Sequence, residues 1–354
     1  MGHAKLTQIS NFDEVIDVRS PSEYAEDHLP GAINCPVLDD EERARVGTLY
    51  KQESPFAAKK IGAALVARNI ATHIECLLLD KPREWRPLIY CWRGGQRSGA
   101  FTHILRQIGW DACRLDGGYK TWRRHIVEQL AILPGQHSFR VVSGTTGSGK
   151  SRLLEALATQ GAQVLHLEQI AAHKGSVLGN LPGEAQPSQK MFESRLYAAL
   201  NTFESSRPVF VESESRRIGS VQLPDAMLNA IRSSPGLRIS AATEARVEFL
   251  LRDYDYFLAD PDGLIERLDF LRQLQSRETL ERWNTLIRAS DFRTLVGELL
   301  EQHYDPLYHR SQQKSRSATE SSPLYTTDEL SPAAVDELAR VILNDMARTE
   351  SIEA

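Results

Sequence analysis

"FRVVSGTTGSGKSRLLEALATQ", residues 139–160, passes from an apolar β-type run through a glycine-rich loop into a helical pattern. Within it, Gly144-Thr145-Thr146-Gly147-Ser148-Gly149-Lys150-Ser151 matches G-x-x-x-x-G-K-S in full, in the strand-to-helix context that gives the motif meaning. The amides of such a loop wrap a diphosphate, the lysine neutralises it, and the Ser151 hydroxyl is the expected ligand of a Mg²⁺ ion. The stretch therefore predicts a P-loop α/β domain that binds a diphosphate. It does not say which molecule carries that diphosphate, and no NKxD-like guanine-reading element accompanies it.

Downstream, AQVLHL (162–167), PVFVES (208–213) and LRISAA (237–242) read as further strands, and beyond about residue 243 the pattern turns helical. Glu212, at the end of its apolar run, stands where a Walker B acid belongs. Arg216 and Arg217 follow it on the carboxyl side of the strands, where open α/β sheets bind ligands. Lys190 and Arg195 sit on a helical stretch, while Arg246 and Arg252 are candidates for a phosphate lid or for helix-surface salt bridges. The polar segment 311–330 reads as a surface loop, followed by an amphipathic helix with Ser331 as N-cap and Pro332 in its first turn.

Upstream, EVIDV (14–18), AINCPV (32–37), CLLLD (76–80), PLIYC (87–91) and ACRLD (112–116) read as strands. Helical patterns alternate with them, which implies a parallel α/β sheet. Pro134 and Gly135 break the chain, so the expected domains are 1–134 and 135–354. Within the first lies YCWRGGQRSG (90–99), which puts Cys91 between a strand end and a helix start. Free amides and the helix dipole there favour thiolate. Gly94 and Gly95 let the loop curl, and Arg93 and Arg97 add charge, so the loop reads as a nest for a tetrahedral anion with Cys91 as nucleophile at its base. Breaking a phosphate ester and carrying a sulfur or selenium atom both fit such a nest.

Composition sets the bounds. The chain has 354 residues, 41% of them hydrophobic and 25% charged, as expected of a globular protein of about two domains. No apolar run approaches the roughly 20 residues of a membrane helix, and the first residues, MGHAKLTQIS, lack a signal-peptide core. The four cysteines (Cys35, Cys76, Cys91, Cys113) show neither CxxC nor zinc-ligand spacing, which points to a reduced cytoplasm and to no membrane. A net charge of −5 disfavours a diffuse nucleic-acid binder and leaves room for a local basic face.

The segments IDVRSPSEYAEDHLPGAINCP (16–36) and LDGGYKTW (115–122), with the Cys91 loop, resemble rhodanese-type sulfurtransferases over residues 10–125. That resemblance implies a chalcogen on Cys91 and scaffold roles for Asp17, Arg19 and His28. The loop is one residue longer than in many rhodaneses and matches rhodanese-fold phosphatases, so a phosphatase stays open at this point. YCWRGGQRSG, SGTTGSGKS, HKGSVLG, QPSQK, VESESRRIG and HYDPLY (303–308), in that order, resemble the tRNA 2-selenouridine synthase family. This second resemblance implies a transferase acting on wobble 2-thiouridine of tRNA. The sulfur is geranylated with geranyl diphosphate at the P-loop, and the S-geranyl group is then replaced by selenium from selenophosphate at Cys91. No tightly bound cofactor other than Mg²⁺ is expected, and an enzyme that makes selenophosphate is a further expected partner. The competing readings are a P-loop kinase or NTPase fused to a sulfur carrier, and a Cys91–Arg97 phosphatase.

Overall fold

The computed structural model describes residues 2–176, 178–314 and 322–353. Two compact units emerge: Met1–Gln129 with Pro187–Ala198, and Leu130–Gln186 with Ala199–Ala354. The first is built on a parallel sheet of β1 (His3–Ala4), β2 (Glu14–Asp17), β3 (Ile33–Asn34), β4 (Pro87–Tyr90) and β5 (Cys113–Leu115), in the order β1-β5-β4-β2-β3. Central β4 is apolar throughout and fully buried, as a strand covered on both faces must be. Ile16, Ile89, Phe101, Leu105, Ile70 and Leu78 join across the sheet and its helices into one core.

Of residues 76–80, expected as a strand, 76–78 are helical and 79–80 form a turn. Helix Pro55–His73 runs on through a π-helical turn, Ile74–Leu78, and Cys76, Leu77 and Leu79 are exposed there. A short apolar run has no period of its own, so the helix already in progress decides its conformation. The fifth strand of the sheet is β1, which pairs with β5 through two residues only. Pro55–Leu78 is also the one stretch, among the described residues, long and apolar enough to cross a membrane, with an 18-residue window of mean hydropathy 1.3. Its apolar residues are interrupted by Lys59, Lys60, Arg68 and Glu75, so it does not stand out as a continuous apolar run. Here Ala58, Leu65, Ile70 and Leu78 turn into the core of the unit.

Segment Pro187–Ala198 packs with the first unit although the P-loop precedes it in sequence. Lys190 pairs with Glu26 at 2.7 Å, Tyr197 bonds the His125 ring at 3.0 Å, and Glu193 pairs with Arg123. Arg195 is exposed.

The second unit holds a parallel sheet of β6 (Phe139–Gly144), β7 (Gln163–Leu165), β8 (Val209–Glu212), β11 (Gly236–Ala241) and β12 (Leu324–Thr327), in the order β12-β11-β6-β8-β7. A small antiparallel hairpin, β9 (Arg217–Ile218) and β10 (Val221–Gln222), lies outside it. The chain leaves β6 toward β7 on one side and later crosses to β11 on the other, so the crevice of the sheet opens at the carboxyl end of β6. Part of the expected 311–330 loop, residues 315–321, lies outside the described residues, and the segment after it forms edge strand β12. Ser331 accepts the Ala334 amide at 3.3 Å and starts the last helix, whose Val335, Ala339 and Ile342 complete the sheet's core. Helices between Asp255 and Tyr304 pack around fully buried Trp283 as a separate cluster.

One buried ion pair anchors the first unit. Arg19 reaches Asp17 at 2.6 Å and the Asp27 carbonyl at 2.6 Å, and its guanidinium lies 4.0 Å from the Tyr119 ring centre. Both partners are fully buried, and Asp17 also accepts the Arg19 amide at 2.9 Å. Removing one partner leaves an uncompensated buried charge, so Arg19→Met should cost about 3–5 kcal/mol. Denaturant unfolding of the full chain checks this, and a loss below about 0.5 kcal/mol would show that Asp17 does not depend on the pair.

Candidate active sites

Cys91 directly follows β4, and helix Gln96–Ile108 starts five residues later. Its sulfur accepts the Gly95 amide at 3.3 Å and lies 3.2 Å from the Ser98 hydroxyl. Burial alone would raise the thiol pKa. The Ser98 hydrogen bond, the Arg97 charge and the Gly95 amide outweigh it, so the pKa is lowered and thiolate is favoured.

The loop owes its shape to the LDGGYKTW segment. Gly118, at φ +60, passes so close that an added Cβ would lie 2.2 Å from the Cys91 carbonyl oxygen and 2.5 Å from the Gly94 nitrogen. Gly94, at φ +65, is equally confined, since its Cβ would meet the Leu115 oxygen at 2.9 Å. Tyr119 and Lys120 donate their amides to the carbonyls of Cys91 and Trp92 at 2.9 and 3.0 Å. Both glycines therefore hold positions that a side chain would clash with or strain.

Among the expected anion ligands, Gly95 bonds the sulfur and Arg93 is exposed. Arg97 is held by Glu23 at 2.7 Å, and Glu23 also takes Arg43 at 2.8 Å. The two guanidinium groups overcome burial and hold the Glu23 carboxyl down at about 2. Asp17, Arg19 and His28 belong to the scaffold. The His28 ring bonds the Tyr24 carbonyl at 2.9 Å and stacks on the Tyr24 ring.

The second site lies at the end of β6. Gly147 and Gly149 take φ of +77 and +79, and side chains there would strike Leu250 and Leu330 at 2.8 and 2.9 Å. A Cβ on Gly144 would meet the Ile239 oxygen at 2.7 Å. Lys150 folds back over the loop, donating to the carbonyls of Gly144 at 2.9 Å and Thr145 at 3.2 Å. Arg246 clamps the loop from behind: it is buried, donates to the Thr146 carbonyl at 2.9 Å and pairs with Asp305 at 2.6 Å. Arg252 bonds the Leu330 carbonyl. The Ser148 hydroxyl is buried without a protein partner, so the loop keeps one polar group in reserve.

A carboxylate cluster faces the loop. Glu212 is buried and accepts the Leu167 amide at 3.0 Å, and Glu168 accepts the Ser151 hydroxyl at 2.7 Å. Glu168, Glu212 and Glu214 line one cleft of about 240 Å³ with Lys150 and Ser151. Burial first, then the mutual repulsion of these acids, pushes Glu212 up to about 8 and Glu214 up to about 7, and burial raises Glu168. Burial lowers the Lys150 pKa against the pull of the three acids. Glu168 and Glu214 escaped the sequence reading. VESES spaces Glu212 and Glu214 two apart, which was a usable sign, whereas Glu168 sits in the short helix Leu167–Ala171 that follows β7 and is brought here by topology. Arg216 pairs with Asp225 at 2.6 Å and Arg217 donates to the Gly219 carbonyl at 2.6 Å, and neither is among the residues lining the cleft.

A second, almost wholly apolar cavity of about 60 Å³ shares Thr146, Ser176, Leu250 and Tyr254 with the polar cleft. Phe257, Leu264, Phe292, Leu295 and Leu299 close its far side. No motif marks it, because its helical walls, Leu250 to Tyr304, lie about 100 to 150 residues beyond the loop.

Fold and sites thus define a protein with a rhodanese-like unit and a P-loop unit. A family model described as "Rhodanese-like domain" matches residues 3–125, and one described as "tRNA 2-selenouridine synthase AAA domain" matches residues 137–261. The tRNA 2-selenouridine synthase of Nitrosomonas europaea is 33% identical over 350 residues, which span 85% of this chain and 90% of that protein. Those of Alcanivorax borkumensis and Marinobacter nauticus are 33% and 32% identical, each over 86% of this chain and covering 90% and 89% of their own lengths. The chain belongs to the tRNA 2-selenouridine synthase family.

Two measurements test the electrostatics. Ser98→Ala removes a hydrogen bond that favours thiolate, so the pH midpoint of Cys91 alkylation by iodoacetamide should rise, and an unchanged midpoint would remove Ser98 from the account. The second concerns stability. Glu212 and Glu214 hold protons in the fold well above the unfolded carboxyl pKa of about 4.3. Between that value and about 8 the folded state binds more protons, so the stabilisation fades as pH rises through 7–8. Glu212→Gln should flatten the fall in melting temperature between pH 6 and 9, and a slope equal to wild type would contradict the assignment.

Proposed function

We propose that the chain modifies the wobble 2-thiouridine of tRNA in two steps, S-geranylation at the P-loop and exchange of the S-geranyl group for selenium at Cys91. The observation that carries the first step is the pairing of a polar cleft with an apolar cavity across Thr146 and Leu250. A nucleotide asks for no such cavity, whereas an allylic diphosphate has one end for each. At about 60 Å³ the cavity is narrower than a ten-carbon chain, so seating one requires the helices bearing Leu250 and Phe292 to part.

In this reading the thiouridine sulfur attacks the first prenyl carbon, and the carbon–oxygen bond breaks with its electrons on the diphosphate. The loop amides and Lys150 stabilise that leaving charge, and preorganised donors of this kind do most of the catalytic work in such sites. The acids alone would repel the anion. They fit a Mg²⁺ ion, because Ser151, Glu168 and Glu212 offer hard oxygen donors, and such an ion takes few protein carboxylates and completes its shell with substrate phosphate and water. When bound it would neutralise the diphosphate.

In the second step selenium from selenophosphate adds at C2 of the base, the C2–S bond breaks, and geranylthiolate leaves and takes up a proton. Water then releases phosphate from selenium. Cys91, at the base of a nest sized for the phosphate, gives the departing geranylthiolate that proton and, as thiolate, takes one back from the water that cleaves the selenium–phosphorus bond. Besides tRNA, an enzyme that makes selenophosphate is the natural partner.

Reconstituted reactions separate the steps. Cys91→Ala should lose 2-selenouridine while keeping S-geranylation, and Lys150→Ala should slow geranylation about a hundredfold while pre-geranylated tRNA is still selenated. Mass spectrometry of the wobble nucleoside reads both. Normal geranylation by Lys150→Ala together with lost ATP binding would turn the second unit into a nucleotide-binding kinase or NTPase.

A further inference from the structure

We infer that a cleft beside the Cys91 loop seats the alkyl chain of the S-alkylated tRNA during the selenium step, with phosphates of the same RNA held on its rim. The inference rests on the two-step reading above. The cleft, of about 610 Å³, lies wholly within the first unit, between helix Asp40–Gln52, helix Pro55–His73 and the start of helix Gln96–Ile108. Val46, Gly62, Ala63, Val66 and Ala100 give it an apolar floor, and one end reaches Gln96 and Arg97, next to the Gly95 amide that holds the Cys91 sulfur.

Helix Asp40–Gln52 buries none of its residues fully, although Val46 and Tyr50 face this cleft, and Tyr50 is 56% exposed. An open apolar wall of this kind marks a binding surface. The charge on the rim selects the occupant. Arg43 and Arg97 are both engaged by Glu23, which leaves Lys51 and Lys59 to meet an anion. A hydrocarbon floor, two lysines and an exposed tyrosine together suit an alkyl chain attached to a single-stranded RNA, whose bases stack on aromatic rings and whose phosphates pair with lysine. A reacting base has to come within reach of Cys91, and a chain on its sulfur then needs a dry place adjoining that loop.

Gly47 lines the cleft, and a Cβ built there meets nothing within 4 Å, so a large side chain at this position fills the space without a backbone clash. The test uses the full chain and two anticodon stem-loop RNAs, one carrying chemically installed S-geranyl-2-thiouridine at the wobble position and one carrying plain 2-thiouridine. Fluorescence anisotropy should show wild type binding the alkylated RNA about tenfold more tightly, and Gly47→Trp cutting that preference to below about threefold. Lys51→Glu with Lys59→Glu should weaken both RNAs and lower the salt slope by about one to two units. Should Gly47→Trp melt early, Ala63→Leu fills the cleft from the opposite wall. An intact preference in the filled variant overturns the inference, as does a wild type that does not distinguish the RNAs. Because the RNA is alkylated beforehand, failure of the protein to geranylate tRNA would sink the P-loop reading and leave this measurement standing.

Discussion

Where a parallel strand hands over to a helix, the first amides of the helix have no partners in the helix itself, and both halves of this chain are organised around that shortage. After β4 the amide of Gly95 turns to the Cys91 sulfur, and after β6 the loop of Gly144–Lys150 is left to wrap an anion. Keeping such amides turned inward requires a backbone that most residues resist. Gly94, Gly118, Gly147 and Gly149 all take positive φ, and each would drive a Cβ to within 3 Å of another group. The neighbours that set these limits come from far along the chain. Gly118 confines the cysteine loop, Leu250 and Leu330 confine the P-loop, and Arg246 ties Thr146 to Asp305. The loops are held by tertiary packing as much as by their own sequence.

The two nests differ in the charge around them, and the difference matches the chemistry each can support. At Cys91 the nearby charge is positive and partly spent, since Arg97 is shared with Glu23, and what remains lowers the thiol pKa. A soft anion is favoured there without an accompanying cation. At the P-loop five acids (Glu155, Glu168, Glu212, Glu214 and Asp253) outnumber three bases (Lys150, Arg152 and Lys174) along the cleft, and burial raises the pKa of Glu212 and Glu214 to about 8 and about 7. The proposed diphosphate would enter such a cleft in company with a cation, which is how hard phosphate chemistry is ordinarily done.

Much of this could be read in the sequence, and the exceptions have a common cause. The P-loop and the cysteine loop are local, with a glycine pattern dictated by backbone geometry, so their strings were sufficient. Buried β4, β6 and β8 were legible as short apolar runs between turn signals. CLLLD at 76–80 carried the same signal and is helical over 76–78, because the preceding helix had no stop before it. Glu168, Glu23, Ser98 and Gly118 act on the sites across distances in sequence that no motif spans. The arginines show the opposite failure. Arg97, Arg216 and Arg217 read as anion ligands, and each is engaged by a carboxylate or a carbonyl, Arg97 sharing Glu23 with Arg43, while Arg246, readable as a lid or a salt bridge, pairs with Asp305. A sequence announces a charge and is silent about its partner.

Within the proposed function, the apolar cavity beside the P-loop puts the strongest constraint on what the diphosphate can be. Its walls, from Leu250 through Phe257 and Leu264 to Phe292 and Leu299, belong to the helical region that follows β11, and many of them are part of the cluster around Trp283. That region steadies the loop through Arg246 and Leu250, while the groups facing a phosphate, the loop amides and Lys150, stand at the sheet end itself. It is needed to offer hydrocarbon a place next to the phosphate, and Leu250 does both jobs, limiting Gly147 on one side and lining the cavity on the other. Parting these walls to admit a chain moves the residue that confines the loop. In the proposed geranylation, alkyl binding and loop geometry are therefore mechanically linked through one side chain, and a diphosphate bearing no chain leaves that link unused.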